Sequence, residues 1–249
     1  MGRKRVKLLA FDSTAKSASV ALAEDGKILS YALADNGLTH SEILLPMAES
    51  VLSCAKTTID EVDAFAVTVG PGSFTGVRIG VATVKGLAQD YSDLERKNCI
   101  PVSTLEAIAE GLASLDGLIV AVMDARRGEV YNAVFRYENG AMTRLCPDRA
   151  ISLVALREEL EKSYGGEAIR LCGDGYAVAL NALQGSSLHL VDTPVLLRTQ
   201  NAAAVATVAS RVPREDWLTE AELRPLYLRL PQAERDRLAR ENATFLSNM

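Results

Sequence analysis

The residues best equipped for chemistry in this 249-residue sequence gather around glycines. In VTVGPGSFTGVRIGVATVKGLA, Val67 to Ala88, an apolar run breaks at Gly70, Gly72, Gly76 and Gly80 and resumes with helical spacing. A strand, a glycine turn and a helix N-terminus in succession form a frame for an anion, because unpaired backbone N–H groups point outward there. The spacing fits neither common phosphate motif. Position 75 is Thr, so G-x-G-x-x-G fails, and no G-x-x-x-x-G-K-[ST] is present. What remains is a tight turn out of a buried strand, with Gly76 and Gly80 one helical turn apart leaving a groove for close packing. Packing is the favoured reading and direct phosphate contact the second.

Two further groups could face a nucleotide. Asp12-Ser13-Thr14 and Asp124 each follow an apolar run, where carboxylates and hydroxyls could meet phosphates and a metal. The plainer account is an Asx turn at Asp12 and an ion pair from Asp124 to Arg126 or Arg127. Ser73 sits in P-G-S-F-T-G rather than G-x-S-x-G, and His40 and His189 are both distant in sequence, so a serine hydrolase is not expected. Cys54, Cys99, Cys146 and Cys172 form no C-x-x-C pair and are expected to be reduced thiols, not zinc ligands. A formal net charge of −5 argues against bulk attraction to nucleic acid, so an RNA partner would need its phosphates held by another subunit. The apolar run after the basic first five residues is too short for a signal peptide or membrane span. A cytoplasmic protein with no membrane partner is the expectation.

The elements that must position these groups follow from periodicity. VKLLAFD, SASVALA and KILSYALA read as three short strands, with Glu24-Asp25-Gly26 as a hairpin turn. Residues 41–55 read as a helix, with Pro46 in its first turns, where a missing N–H costs least. A buried strand over 63–70, a helix over 75–88, the strand CIPVS and the helix LEAIAEGLA follow. From Gly117 the order repeats. A strand ends at Asp124, a second runs to the Asn139-Gly140 turn, and a helix over 152–163 leads to the strand AIRLCG. After them come the Gly173-Asp174-Gly175 turn, a helix over 176–183, the strand LHLV and an alanine-rich helix over 201–210.

Asp12 and Asp124 thus hold equivalent places, as do the turns at 70–72 and 173–175. Two βββαβαβα units in tandem form an internal duplication. The predicted fold is α/β, two lobes each with a mixed five-stranded sheet flanked by helices, as in the actin-like, sugar-kinase-like ATPases. The repeat places the lobes at 1–106 and 107–249, the first carrying the partner-binding helices, with a helical tail after YLRLP.

GPGSFTGVRIGVATVKGLA, together with FDSTAKSASVAL, HSEILLPMAESVL, DARRGEVYNAVF and PLYLRLPQAERDR, resembles the TsaB (YeaZ) family over nearly the whole chain. Its members are short paralogues of the TsaD/Kae1 proteins that make threonylcarbamoyladenosine in transfer RNA. The resemblance implies a scaffold without its own active site that binds and activates a TsaD-type transferase. It implies a TsaE-type ATPase in the complex, a TsaC-type adenylate synthase upstream, and tRNA met only through the complex. In the catalytic paralogue a His-x-x-x-His pair binds a metal, and Thr104 and Ile108 stand in those places here, so no metal site is expected. No cofactor is required by this reading. A weak or partner-shared ATP or ADP contact at Asp12, Ser13, Thr14 and Asp124 stays open, as does the alternative of a stand-alone nucleotide-dependent transferase or phosphatase of the same fold.

The helix over 41–55 carries Ile43, Leu44, Leu45, Met47, Ala48, Val51 and Leu52, more apolar surface than one core face takes up. The resemblance implies that this helix and the one after the glycine loop, with Val77 and Val81, pack on the same two helices of TsaD. It also implies a homodimer through that surface in the free protein. Arginine at Leu44 or Val51 is accordingly expected to abolish binding and leave the fold intact.

Overall fold

The computed structural model describes residues 5–89, 93, 96 and 98–229. Its first sheet is built from β1 (Lys7–Asp12), β2 (Ala18–Glu24), β3 (Lys27–Ala34), β4 (Ala64–Gly70) and β5 (Cys99–Ser103), in the order β3-β2-β1-β4-β5. β1, β2 and β3 pair antiparallel through the two-residue turn Asp25-Gly26, both at positive φ, while β4 and β5 add in parallel. The parallel connections require crossover helices: α1 (His40–Cys54) precedes β4, and α2 (Phe74–Ala88) joins β4 to β5. Both lie on one face, over Leu9, Phe11, Val20, Leu22, Val67 and Val69.

The second sheet repeats the plan. After α3 (Thr104–Glu110) come β6 (Gly117–Arg126), β7 (Glu129–Glu138), β8 (Ala141–Arg144), β9 (Arg149–Ser152), α4 (Leu153–Tyr164), β10 (Ala168–Cys172), α5 (Tyr176–Leu183), β11 (His189–Val191) and α6 (Ala202–Ala209). The order β11-β10-β6-β7-β8 mirrors the first sheet strand for strand. A sixth strand, β9, is additional to the expected five. It pairs with Glu129–Asn132 of β7 while β8 pairs with Phe135–Glu138, so the two share one edge. Pro147 lies between them, and its missing N–H accounts for the break. β6 does not stop at Asp124. It continues to Arg126 through a register shift, with Arg126, Arg127 and Gly128 all at positive φ.

The helices α3 and α6 do not follow the division of the strands at residues 106 and 107. α6 follows the second sheet in sequence but covers the free face of the first, where Ala202, Val205, Ala206 and Ala209 meet Leu8, Ala10, Ala21 and Ala66. Alanines on both sides let helix and sheet approach closely. α3, in turn, puts Leu105, Ile108 and Ala109 against Ile119, Ala121, Met123 and Phe135 of the second sheet. The ion pair from Arg211 to Glu110 links the C-terminal ends of these two helices. After α6 the chain stays on the first lobe: Leu218 bridges Cys99, Leu223 enters its core, and Leu226 N donates to Val69 O at 2.7 Å. The expected helical tail beyond Arg229 lies outside the described residues.

Pro46 sits in the second turn of α1, one turn later than the position where a proline is free of cost. No helix among the described residues is long and apolar enough to cross a membrane.

Candidate functional site

The ends of β1 and β6 face each other across a cleft of about 470 Å³ lined by Thr14, Lys16, Gly72, Phe74, Asp124 and Asp174 among others. Of the four residues expected at a nucleotide, the cleft wall contains two, Thr14 and Asp124. Asp12 and Ser13 lie beneath it, each 1% exposed, and Thr14, itself 0% exposed, is the buried layer that separates them from the cleft. Asp12 Oδ1 accepts from the Thr14 amide and hydroxyl, both at 3.0 Å, which is an Asx turn, and Oδ2 makes no hydrogen bond among the described residues. Burial drives this carboxyl above its ordinary range, against the pull of those two Thr14 bonds. Ser13 Oγ donates to Gly76 O at 2.9 Å.

The four glycines all abut other parts of the chain. A Cβ at Gly76 would overlap Ser13 O, one at Gly80 would lie 2.6 Å from Ser13 Oγ, and one at Gly72 would lie 2.7 Å from Thr14 O. At Gly70 it would overlap Leu226 O. Gly72 and Gly70 also have positive φ. Ser73 N donates to Thr14 O at 2.7 Å, and Ser73 Oγ caps α2 by accepting from Gly76 N at 3.2 Å. The loop's first free amides are therefore turned on the chain itself. Across the cleft, Gly173 and Gly175 press on Val122 O and the Met123–Asp124 peptide in the same manner.

Asp174 is the site residue that sequence reasoning missed, although its turn was singled out. Its carboxylate takes a long 3.4 Å contact from Asp124 N. By surface area the residue is exposed, at the rim of the cleft, above the closely packed turn of Gly173 and Gly175. Desolvation in this setting, with Asp124 and Asp12 nearby, pushes it up to about 6, against the Asp124 amide and Arg126. Asp124 itself binds Arg126 through the amide at 2.8 Å and the guanidinium at 3.1 Å, as the plainer account expected.

The cleft mouth is crossed by residues 226–229. Leu226 is tied to β4, Tyr227 stacks on Phe74 with centroids 4.7 Å apart, and Arg78 Nε donates to Tyr227 Oη at 2.8 Å. On the other lobe Arg229 donates to Ala125 O at 2.9 Å and pairs with Glu129 at 2.7 Å. YLRLP in the sequence carried the residues of this strap but no signal that they would span the lobes.

Thr104 and Ile108 are both buried at α3, Ile108 in the core. His40 Nε2 lies 2.8 Å from Ala15 O, and His189 opens β11 on the outer edge of the second sheet. Neither imidazole meets Ser73 in these bonds.

The proposed partner face needs correction. Leu44, Ala48, Val51 and Leu52 of α1 and Val77 and Val81 of α2 are core residues of the first lobe, and Leu44 is 1% exposed. Arginine at Leu44 or Val51 would bury an unpaired charge in that core, so the expectation of an intact fold is overturned. Outside that core lie Leu45, 46% exposed, on one flank of α1, Ile43 and Met47, partly buried, on its opposite flank, and on α2 partly buried Ile79 and exposed Ala82.

The model of the family described as TsaD: tRNA N6-adenosine threonylcarbamoyltransferase matches residues 36–230. The chain is similar to the tRNA threonylcarbamoyladenosine biosynthesis protein TsaB of Escherichia coli, 31% identical over 228 residues, 90% of this chain and 95% of that one. It is 32% identical over 158 residues to the protein of the same description from Bacillus subtilis, 62% of this chain and 66% of that one. A crystal structure from Pseudomonas aeruginosa, described as an uncharacterized protein with similarity to peptidase YEAZ, superposes with a TM-score of 0.74 at 26% identity, covering 90% of this chain and 100% of that one.

Proposed function

The chain belongs to the TsaB (YeaZ) family, and on that premise we propose that it acts in tRNA threonylcarbamoyladenosine biosynthesis as an accessory subunit that binds and activates a TsaD-type transferase. The observation that carries this reading is the apolar surface left on α1 and α2 once the first lobe's core is filled: exposed Leu45 on one flank of α1, partly buried Ile43 and Met47 on the other, and Ile79 and Ala82 on α2. A surface leucine alone needs no explanation, but apolar side chains left uncovered on two helices that pack together suit a partner's helices. The same surface would join two copies of the free protein.

The cleft supports the absence of an independent active site. Asp12 Oδ1 and Ser13 are engaged by Thr14 and Gly76, Asp12 is sealed from the cleft, Asp124 is paired with Arg126, and the strap stands across the mouth. In this reading the protein needs no cofactor of its own, a nucleotide contact is weak or shared with a partner, and tRNA, TsaE-type ATPase and TsaC-type synthase are met through a cytoplasmic complex.

The experiment is threonylcarbamoyladenosine formation on unmodified tRNA with TsaC, TsaD and TsaE supplied and this protein present or omitted. Dependence on it, with no product when TsaD is left out, is the expected result. Full activity without it would overturn the reading, and product formed without TsaD would turn attention to Asp124 and Asp174 as a separate catalytic pair.

A further inference from the structure

Three consecutive residues of the cleft loop are held by the N-terminal ends of α1 and α2. Ser13 Oγ donates to Gly76 O at 2.9 Å, Thr14 O accepts from Ser73 N at 2.7 Å, and Ala15 O lies 2.8 Å from His40 Nε2. The first two bonds belong to α2 and the third to the first residue of α1. A carbonyl only accepts, so Nε2 carries the proton, and His40 Nδ1 is buried without a partner in the described structure. The imidazole therefore makes one hydrogen bond, which runs from α1 to the cleft loop, and it also lies within electrostatic reach of the buried Asp12 carboxyl. Thr14, Ala15 and Lys16 line that cleft. Leu45 lies five residues along the same rigid helix, on its outer side.

From this geometry we infer that His40 is a positioning residue coupling occupancy of the α1–α2 face to the conformation of the cleft loop at 13–16. Pressure on α1 reaches Ala15 through the imidazole, while Ser13 and Thr14 stay fixed to α2. The loop is then set by the relative position of the two helices, which is what a docked partner would define. The inference rests on the proposed partner surface. It goes beyond that surface by assigning the route from it to the cleft.

The test is amide hydrogen exchange of the peptide covering 13–16, in the full chain with and without the TsaD-type subunit, for wild type, His40→Ala and His40→Gln. Bound partner should slow exchange in wild type by on the order of tenfold, within the range of ordinary site-to-site coupling. His40→Ala should still bind through the unchanged outer face yet lose the slowing. His40→Gln, whose amide can donate to Ala15 O, should regain it, which a merely space-filling role would not predict. Equal slowing in His40→Ala, or none in wild type with partner bound, overturns the inference. Should His40→Ala fail to fold, His40→Asn, whose amide falls short of Ala15, takes its place. If wild type binds no TsaD-type subunit, the proposed function fails separately. The free chains then decide the link: faster exchange at 13–16 in His40→Ala than in His40→Gln, with 42–52 unchanged, upholds it, and equal exchange removes it.

Discussion

Gly76→Ala and Gly86→Ala make the same chemical change on the same helix, and the structure assigns them opposite signs. At Gly86 an added Cβ meets nothing within 4 Å, on an exposed turn. Alanine there gains helix propensity and loses unfolded-state freedom, about 0.5–1 kcal/mol of stabilisation. At Gly76 the Cβ would overlap Ser13 O, with Ser13 C at 3.1 Å and His40 Cδ2 at 3.4 Å. Ser13 O cannot swing aside, because Asp12 and Thr14 close the turn around it. Relief requires the first turn of α2 to retreat, which lengthens the Ser73 N to Thr14 O and Ser13 Oγ to Gly76 O bonds. Overpacking of about 1–3 kcal/mol and two weakened hydrogen bonds, together about 1 kcal/mol, outweigh the propensity gain, leaving a net loss of roughly 1–3.5 kcal/mol. In a chain of this length that is a fall in Tm of about 2–14 °C, against a rise of about 1–4 °C for Gly86→Ala. Thermal and urea unfolding of both variants measure it. A Gly76→Ala protein within about 0.5 kcal/mol of wild type would refute the packing account of the glycine loop.

Three more outcomes are expected. Leu45→Arg should change stability by less than about 0.5 kcal/mol and abolish pull-down of the TsaD-type subunit, whereas Leu44→Arg should fail to fold, as circular dichroism would register. The Asp174 carboxyl, raised to about 6 in the fold, binds a proton more tightly than the unfolded chain does. Its contribution is fully present below the unfolded pKa near 4 and is lost as pH rises through 6. Asp174→Asn should therefore flatten the decline in urea stability across pH 4–6 and leave the protein more stable than wild type at pH 7. In native thiol labelling Cys54 should react first, while Cys172 and Cys99, whose thiol burial pushes up to about 12, should react only on unfolding.

The strand order, both hairpins and the tandem repeat were legible because each rests on local chemistry: Asp25-Gly26 and Asn139-Gly140 at positive φ, and apolar runs cut by glycine. The destination of α6 was not. Its alanine face announces close packing, but nothing local says which sheet it meets. β9 escaped because four residues after a proline carry too short a pattern. The helical stripe was read too generously. Positions 44, 48, 51 and 52 already have the spacing of one core-facing stripe, and Leu45 borders it next to Leu52, so spacing alone does not tell that Leu45 is exposed. Asp12 and Asp124 were rightly matched as equivalents in the repeat. Their difference in exposure depends on Thr14 closing over Asp12, where Asp124 instead faces the open cleft beside Asp174.

The return of α6 to the first sheet bears on how the chain is made. A ribosome delivers β1 to β5 early, yet the face carrying Leu8, Ala10, Ala21 and Ala66 has only α3, through Ala107, as cover until residues 202–209 emerge, and Leu223 enters the other side later still. The N-terminal lobe thus waits, half dressed, while the second sheet is synthesised and can close on α3. Nascent chains halted before residue 200 should keep that apolar face available to chaperones, and the emergence of residues 202–223 should be what releases the first lobe from them.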